Sequence, residues 1–219
     1  MESARTRYRR WQLDELLAKY PGLEVVPDPD TELVVTGELA FRVQGPIGEQ
    51  LEDRYQVRLS IPVGFPRELP IVFETGGRVP PDFHKLSDGS LCLGAPTEIR
   101  LKLHPAATLL TLVEALVIPY LFGYSHFAKT GILPFGELDH GVAGIRQHFA
   151  ALFRVQDQDA VTEFVRLTAL KRRRANKSPC PCASGRRLGR CHHLQVNRLR
   201  DRLGRDWFSE QYRQLTGTV

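Results

Sequence analysis

Apolar and polar residues alternate most regularly in the first third of the chain. Leu39, Phe41 and Val43 are each separated by one residue, and Tyr55, Val57, Leu59 and Ile61 alternate with Gln56, Arg58 and Ser60. A period of two gives a strand one buried face, so strands are expected over Leu33 to Val43 and Arg54 to Ile61. Gly45-Pro46-Ile47-Gly48 forms a turn between them, and Ile71-Val72-Phe73-Glu74 is a short third strand. Ahead of the strands, Leu13, Leu16, Leu17 and Tyr20 recur at helical spacing, with Tyr8 and Trp11 one turn earlier. This predicts an amphipathic helix from Arg5 to Tyr20, closed by Pro21-Gly22. The segment from Pro62 to Pro70 holds three prolines and cannot be regular.

Beyond residue 92 the pattern turns helical. Pro105 to Tyr120 is almost wholly apolar and reads as a buried helix. Gly136 to Phe153 is amphipathic through Ile145, Phe149, Leu152 and Phe153. A further helix starts near Asp157 or Asp159, both good caps, and carries Val161, Phe164, Val165 and Leu167 into Lys171-Arg172-Arg173-Arg174, which suits the negative end of a helix dipole. Ala175 to Pro179 reads as a linker. Strands grouped first and helices after them argue for an α+β fold with an antiparallel sheet.

Charge divides the chain. Residues 171 to 205 contain 12 Lys or Arg and one acid, Asp201, a local +11; the totals of 30 and 25 then leave 18 bases and 24 acids elsewhere, a net −6. A mildly acidic main domain, residues 1–174, followed by a basic module, residues 175–219, is expected. The basic module has nucleic acid or an acidic protein face as candidate partners. The first residues lack the apolar run of a signal peptide. Thr108 to Phe122 is interrupted by Thr111, Glu114 and Pro119 and reads as a core helix rather than a membrane span. With only four cysteines, a cytoplasmic location is expected.

The cysteines fall into two settings. Cys92 stands alone between Leu91 and Leu93, just after the turn signal Ser87-Asp88-Gly89. An isolated thiol beside a turn is a candidate nucleophile; a small buried hydrophobe is the alternative. Asp88 and Glu98 are candidates to orient or deprotonate an incoming amine, and His126 and His140 are further candidates to approach the site. The other three cysteines lie in Cys180-Pro181-Cys182-Ala183-Ser184-Gly185-Arg186-Arg187-Leu188-Gly189-Arg190-Cys191-His192-His193. Two thiols one residue apart, then Cys-His after eight residues, supply the four ligands of a closed tetrahedral Zn²⁺ site. Cys180, Cys182, Cys191 and His192 are the expected set, with His193 as the alternate. A tail of this size has no core of its own, and a structural metal would give it a reason to fold. Neither a Gly-x-Gly-x-x-Gly nor a Walker sequence is present.

The element order resembles the ubiquitin-conjugating-enzyme fold. Phe65-Pro66-Arg67-Glu68-Leu69-Pro70-Ile71-Val72-Phe73 is similar to that family's proline signature and the strand after it. Asp88-Gly89-Ser90-Leu91-Cys92-Leu93 is similar to its Asn-Gly-x-Ile-Cys-Leu active-site segment, and His104-Pro105 to Leu116 to the stretch leading into the next helix. The likeness spans roughly Arg5 to Leu121. It implies that Cys92 carries a partner's C-terminus as a thioester and transfers it to an amine, after activation by another enzyme. The family's His-Pro-Asn differs here: the asparagine position, eight before the cysteine, is His84. The resemblance makes His84 the candidate oxyanion donor or proton relay. Phe122 to His140 resembles bacterial members found in CBASS-type antiphage operons, which implies a cGAS-like nucleotidyltransferase as the conjugated partner. The cysteine-rich tail resembles the SEC-C zinc motif. The rival expectations are a non-catalytic module that binds a ubiquitin-like or nucleotidyltransferase partner, and a nucleic-acid adaptor acting through the basic tail.

Overall fold

The fold is that of a computed structural model describing residues 4–27, 33–45, 48, 50–134 and 141–217. It is α+β, with a four-stranded antiparallel sheet in the order β1-β2-β3-β4. The described residues pack as two units. One lies within Met1–Leu93 and Ala106–Gly136, the other within Gly94–Pro105 and Glu137–Val219.

The first unit holds the sheet: β1 (Leu23–Pro27), β2 (Leu33–Gln44), β3 (Gln50–Ile61) and β4 (Ile71–Glu74). The alternation predicts the buried face well. Val35 faces Leu59, Leu39 faces Tyr55 and Val43 faces Leu51 across the β2–β3 ladder, which buries one side of each strand. Strand β1 was not expected from the sequence. It pairs with β2 from Leu23 opposite Gly37, where a Cβ on Gly37 would lie 2.2 Å from Gly22 O; only glycine allows that approach.

The single N-terminal helix expected over Arg5 to Tyr20 is instead two, α1 (Ala4–Arg10) and α2 (Leu13–Lys19), broken at Trp11-Gln12. Packing overrides helix continuity here. Trp11 is 1% exposed, its indole N–H donates to Phe65 O, and its carbonyl accepts from the Leu109 N–H. That acceptor is lost to a local helical bond, and Gln12 takes a left-handed φ of 53°.

Helix α4 (Leu109–Thr130) completes this unit and runs ten residues past the expected Tyr120. Thr108 caps its start by accepting from the Thr111 N–H. Among the described residues it is the one helix long and apolar enough to cross a membrane. Here Leu109, Leu112, Val113, Leu116, Val117, Leu121 and Phe122 are buried in protein.

The second unit is helical: α3 (Pro96–Leu103), α5 (Gly141–Phe153), α6 (Gln158–Ala169), α7 (Arg172–Lys177), α8 (His193–Leu203) and α9 (Arg205–Thr216). Asp157 caps α6, accepting from the Ala160 N–H. Phe153 stacks on Phe164 with centroids 4.6 Å apart. Around that pair one core gathers Phe149, Val161, Leu188, Val196, Phe208 and Leu215.

The carbonyls at the end of α6 are held from farther along the chain. Arg200 donates to Leu167 O and Thr168 O, and Arg205 donates to Ala169 O. The supposed linker is not loose, since Ala175 lies in α7 and is fully buried in the same core. Residues 175–217 therefore share a core with α5 and α6, and the break in packing does not fall at residue 174.

Candidate functional site

Cys92 lies in the first unit, half-buried, at the end of a tight hairpin. The turn is made by Leu86 to Ser90, where the Leu86 N–H donates to Ser90 O and the Gly89 N–H to Leu86 O. Asp88, one candidate to orient or deprotonate an amine, is occupied in this turn: its carboxylate accepts from the Ser90 N–H at 2.9 Å and the Ser90 hydroxyl at 2.6 Å. Those Ser90 bonds hold its carboxyl below the usual carboxylate range. Leu91 is buried and its N–H donates to Val72 O on β4, so one flank of the thiol is anchored in the core.

The Cys92 N–H donates to His84 O at 2.8 Å. The main-chain amide beside the sulfur is thus committed to that bond. His84 has a φ of 41°, a strained value for a residue with a Cβ. Its carbonyl also accepts from the Tyr120 hydroxyl at 3.2 Å, and the same hydroxyl donates to Phe83 O at 2.7 Å. Burial, with a further contribution from the neighbouring Cys92, pushes the Tyr120 phenol well above its usual range, so it remains a hydrogen-bond donor. The His84 ring sits edge-on to Phe83 at 5.0 Å.

Tyr120, Tyr124 and Phe127 on α4 form an aromatic stripe against Phe83, with centroids 5.9, 4.9 and 5.4 Å away. Sequence reading placed Tyr120 only at the end of a buried helix, and its spacing with Tyr124 and Phe127 is the signal that marks the stripe. A second clamp holds the approach to this loop. Arg78 donates both arms of its guanidinium to Asp53 at 2.7 and 3.0 Å, lies 4.0 Å above the Tyr55 ring, and presents its carbonyl to the Tyr124 hydroxyl. Asp53 also accepts from Ser125. Burial raises its carboxyl, but the bonds from Arg78 and Ser125 outweigh this and bring it to about 2. His126 is on α4 beside Phe122. Glu98 is on α3 in the other unit, paired with Lys102 at 2.9 Å. His140 lies outside the described residues.

In the second unit, Cys180, Cys182, Cys191 and His192 come together with their ligand atoms all within 4.8 Å of one another. Cys180 Sγ is 3.2 Å from His192 Nδ1 and 3.4 Å from Cys182 Sγ, Cys182 Sγ is 3.6 Å from Cys191 Sγ, and Cys191 Sγ is 3.3 Å from His192 Nδ1. A tetrahedral ion with metal–sulfur bonds of ~2.3 Å and metal–nitrogen bonds of ~2.1 Å sets such edges at roughly 3.5–3.8 Å. The four residues therefore fit a metal ion. His192, not the alternate His193, is the histidine of the cluster.

The local fold explains the convergence. Pro179 bridges Arg187, the Cys180 N–H donates to Arg186 O, and the Leu188 N–H donates to Ser178 O, which makes a small hairpin. A short turn at Leu188–Arg190 then delivers Cys191 and His192 to the start of α8. Cys180 is 5% exposed and belongs to the unit's core, and the His192 ring stands edge-on to Phe164 at 5.2 Å. Burial pushes the Cys180 thiol up. For Cys182 the burial penalty is outweighed by hydrogen bonding with Ser184 and Cys180, which draws it down.

A scan against models of known protein families finds no match to this chain. No curated protein matches it in sequence.

Proposed function

We propose that the chain is a ubiquitin-conjugating-like transferase. Cys92 takes the C-terminal carboxyl of a partner protein as a thioester and passes it to an amine, with a cGAS-like nucleotidyltransferase as the partner in bacterial antiphage defence. The observation that carries the reading is the framing of Cys92. A thiol with no other cysteine in its unit is held half-exposed by a hairpin tied to β4, by a strained His84 backbone and by Tyr120. A helix pair, an antiparallel meander and then this thiol follow one another in the order of the conjugating fold.

In the reaction, the Cys92 thiolate attacks a carboxyl already activated by another enzyme, and the activating group departs. A lysine amine then attacks the thioester carbonyl, and the Cys92 thiolate leaves. The anionic tetrahedral intermediate needs a donor. With the Cys92 N–H committed, the His84 imidazole is our candidate, positioned by the Tyr120 hydroxyl on its carbonyl. The Cys180, Cys182, Cys191 and His192 set is assigned to structural Zn²⁺: three sulfurs and one nitrogen close a tetrahedron and leave no open position for catalysis.

The test is a non-reducing gel of wild type and Cys92→Ala, each co-expressed with its genomic neighbours. A heavier band that dithiothreitol removes and Cys92→Ala lacks supports the thioester. A neighbour that co-purifies equally with both proteins, with no such band, replaces the enzyme by a binding module. For His84→Ala, discharge to lysine is expected to slow by about 10²–10³-fold while loading changes little. Equal slowing of both steps removes His84 from the chemistry.

A further inference from the structure

We propose that the second unit carries a second, independent activity: it binds the phosphate backbone of a nucleic-acid duplex through a continuous arginine-rich surface formed by α7, the ligand hairpin and α8. This goes beyond the proposed chemistry at Cys92 and does not depend on it.

The fold brings together cations that are spread along the chain. Helix α7 lies against the turn at Leu188–Arg190 so closely that a Cβ on Gly189 would sit 2.8 Å from Asn176 O. This approach brings the helix that carries Arg173 and Lys177 against the turn that follows Arg187 and carries Arg190. The Arg172–Asp201 ion pair, at 2.9 Å, ties the start of α7 to α8 and so adds Arg198 and Arg202 to the same region. All six of these cations are exposed. Among the described residues none of the six makes an ion pair, because Asp201, the single acid of residues 171–205, is taken by Arg172.

The composition of the surface selects its partner. Five of the six cations are arginines, whose planar forks match phosphate oxygens. Uncompensated positive charge at this density attracts a polyanion of matching density, and a duplex carries one charge per ~1.7 Å of its axis. Single strands are gripped by stacking on aromatic rings, and this surface offers none. Trp207 is covered by Arg100 at 4.3 Å and bonds Thr97, and Tyr212 packs against the core. Recognition through phosphates alone positions a duplex without reading its sequence.

The test is fluorescence anisotropy with full-length protein and four probes: a 20-base-pair DNA duplex, the matching RNA duplex, a single strand of the same length, and polyglutamate. Both duplexes are expected to bind more tightly than the single strand, regardless of sequence, with log K falling against log salt at a slope of about −4 to −6. A triple variant Arg173→Ala, Lys177→Ala, Arg187→Ala avoids the metal ligands and all core residues. It is expected to flatten that slope by about two to three units and to weaken binding more than tenfold at 0.1 M salt. Cys92→Ala is expected to bind as wild type does. Equal affinity for DNA and RNA marks pure phosphate recognition, and a preference between them identifies the natural duplex. The proposal is overturned if the triple variant keeps wild-type affinity and slope with its helical circular dichroism and metal content intact, if the single strand binds more tightly than either duplex, or if polyglutamate binds as tightly as the duplexes.

Discussion

In the sheet-bearing unit, Cys92 stands half-exposed with its amide given to His84, and no second thiol shares its surroundings. In the helical unit, Cys180, Cys182 and Cys191 turn their sulfurs toward one another and toward His192. The same side chain thus meets two opposite environments. Around Cys92 the surroundings are built from backbone and aromatic contacts of residues 72 to 91 and Tyr120. Around the other three, the sulfurs themselves are the meeting point of a hairpin, a turn and a helix. One thiol is placed by its neighbours, whereas the other three are themselves the point at which their segments meet.

The sharpest way to break this comparison is to remove the metal ligation. Structural zinc sites contribute on the order of 10 kcal/mol of folding free energy. Chelation, or Cys182→Ser, is therefore expected to strip hydrogen-exchange protection from α6 and α8 while β2 and β3 keep theirs. Equal loss in the sheet would show that the two environments are not separate.

The counterpart in the first unit is Trp11→Ala, which empties a fully buried site and removes the indole bond to Phe65 O. A loss of about 3–5 kcal/mol is expected in denaturant unfolding followed from the sheet, with the metal content of the protein unchanged. A smaller effect is expected of Tyr120→Phe. Deleting the hydroxyl shared by the Phe83 and His84 carbonyls should cost about 1–2 kcal/mol and alter the alkylation rate of Cys92 but not that of Cys180. No change at either thiol would mean that Tyr120 does not position the loop.

The smallest is Asp53→Asn. The Asp53 carboxyl is depressed to about 2 by Arg78 and Ser125, so its contribution is present above the unfolded value of about 4 and is lost as pH falls from 4 toward 2. Because Arg78 is half-exposed and screened, the margin is about 1 kcal/mol. Melting curves of wild type and variant should differ at pH 7 and converge near pH 2.

The inner strands and the metal ligands were legible because each follows a local rule. Alternation in β2 and β3 sorts residues to the two faces of a sheet, and ligand spacing in a short hairpin leaves few ways to place four donors. What escaped the sequence was set by distant contacts. The break at Gln12 follows from Leu109 taking the Trp11 carbonyl, 98 residues away along the chain. Strand β1 carries its apolar residues in a run, Val25-Val26, rather than in alternation, and its pairing begins opposite a glycine in β2, Gly37. Helix α3 was not expected because Ile99, Leu101 and Leu103 alternate as a strand would; Pro96 in its first turn favours the helix. Around Cys92, the turn was readable from Asp88-Gly89. The positive φ of His84 and the Tyr120 bonds were not, since both arise only when α4 packs on residues 83–84.

Within α4, Val113–Val117 form a widened turn in which the Ile118 N–H reaches back five residues to Val113 O. Such a turn accommodates one more residue than an ordinary helix would hold over the same stretch. It therefore sets the angular phase between the apolar first half of α4 and the aromatic stripe after it. A regular helix holding the same residues would carry the extra one around its axis and swing Tyr120, Tyr124 and Phe127 by about 100°, away from Phe83. A homologue shorter by one residue here should close to an ordinary helix with the stripe still facing Phe83. The widened turn is thus what lets a chain longer by one residue keep the frame of the Cys92 loop.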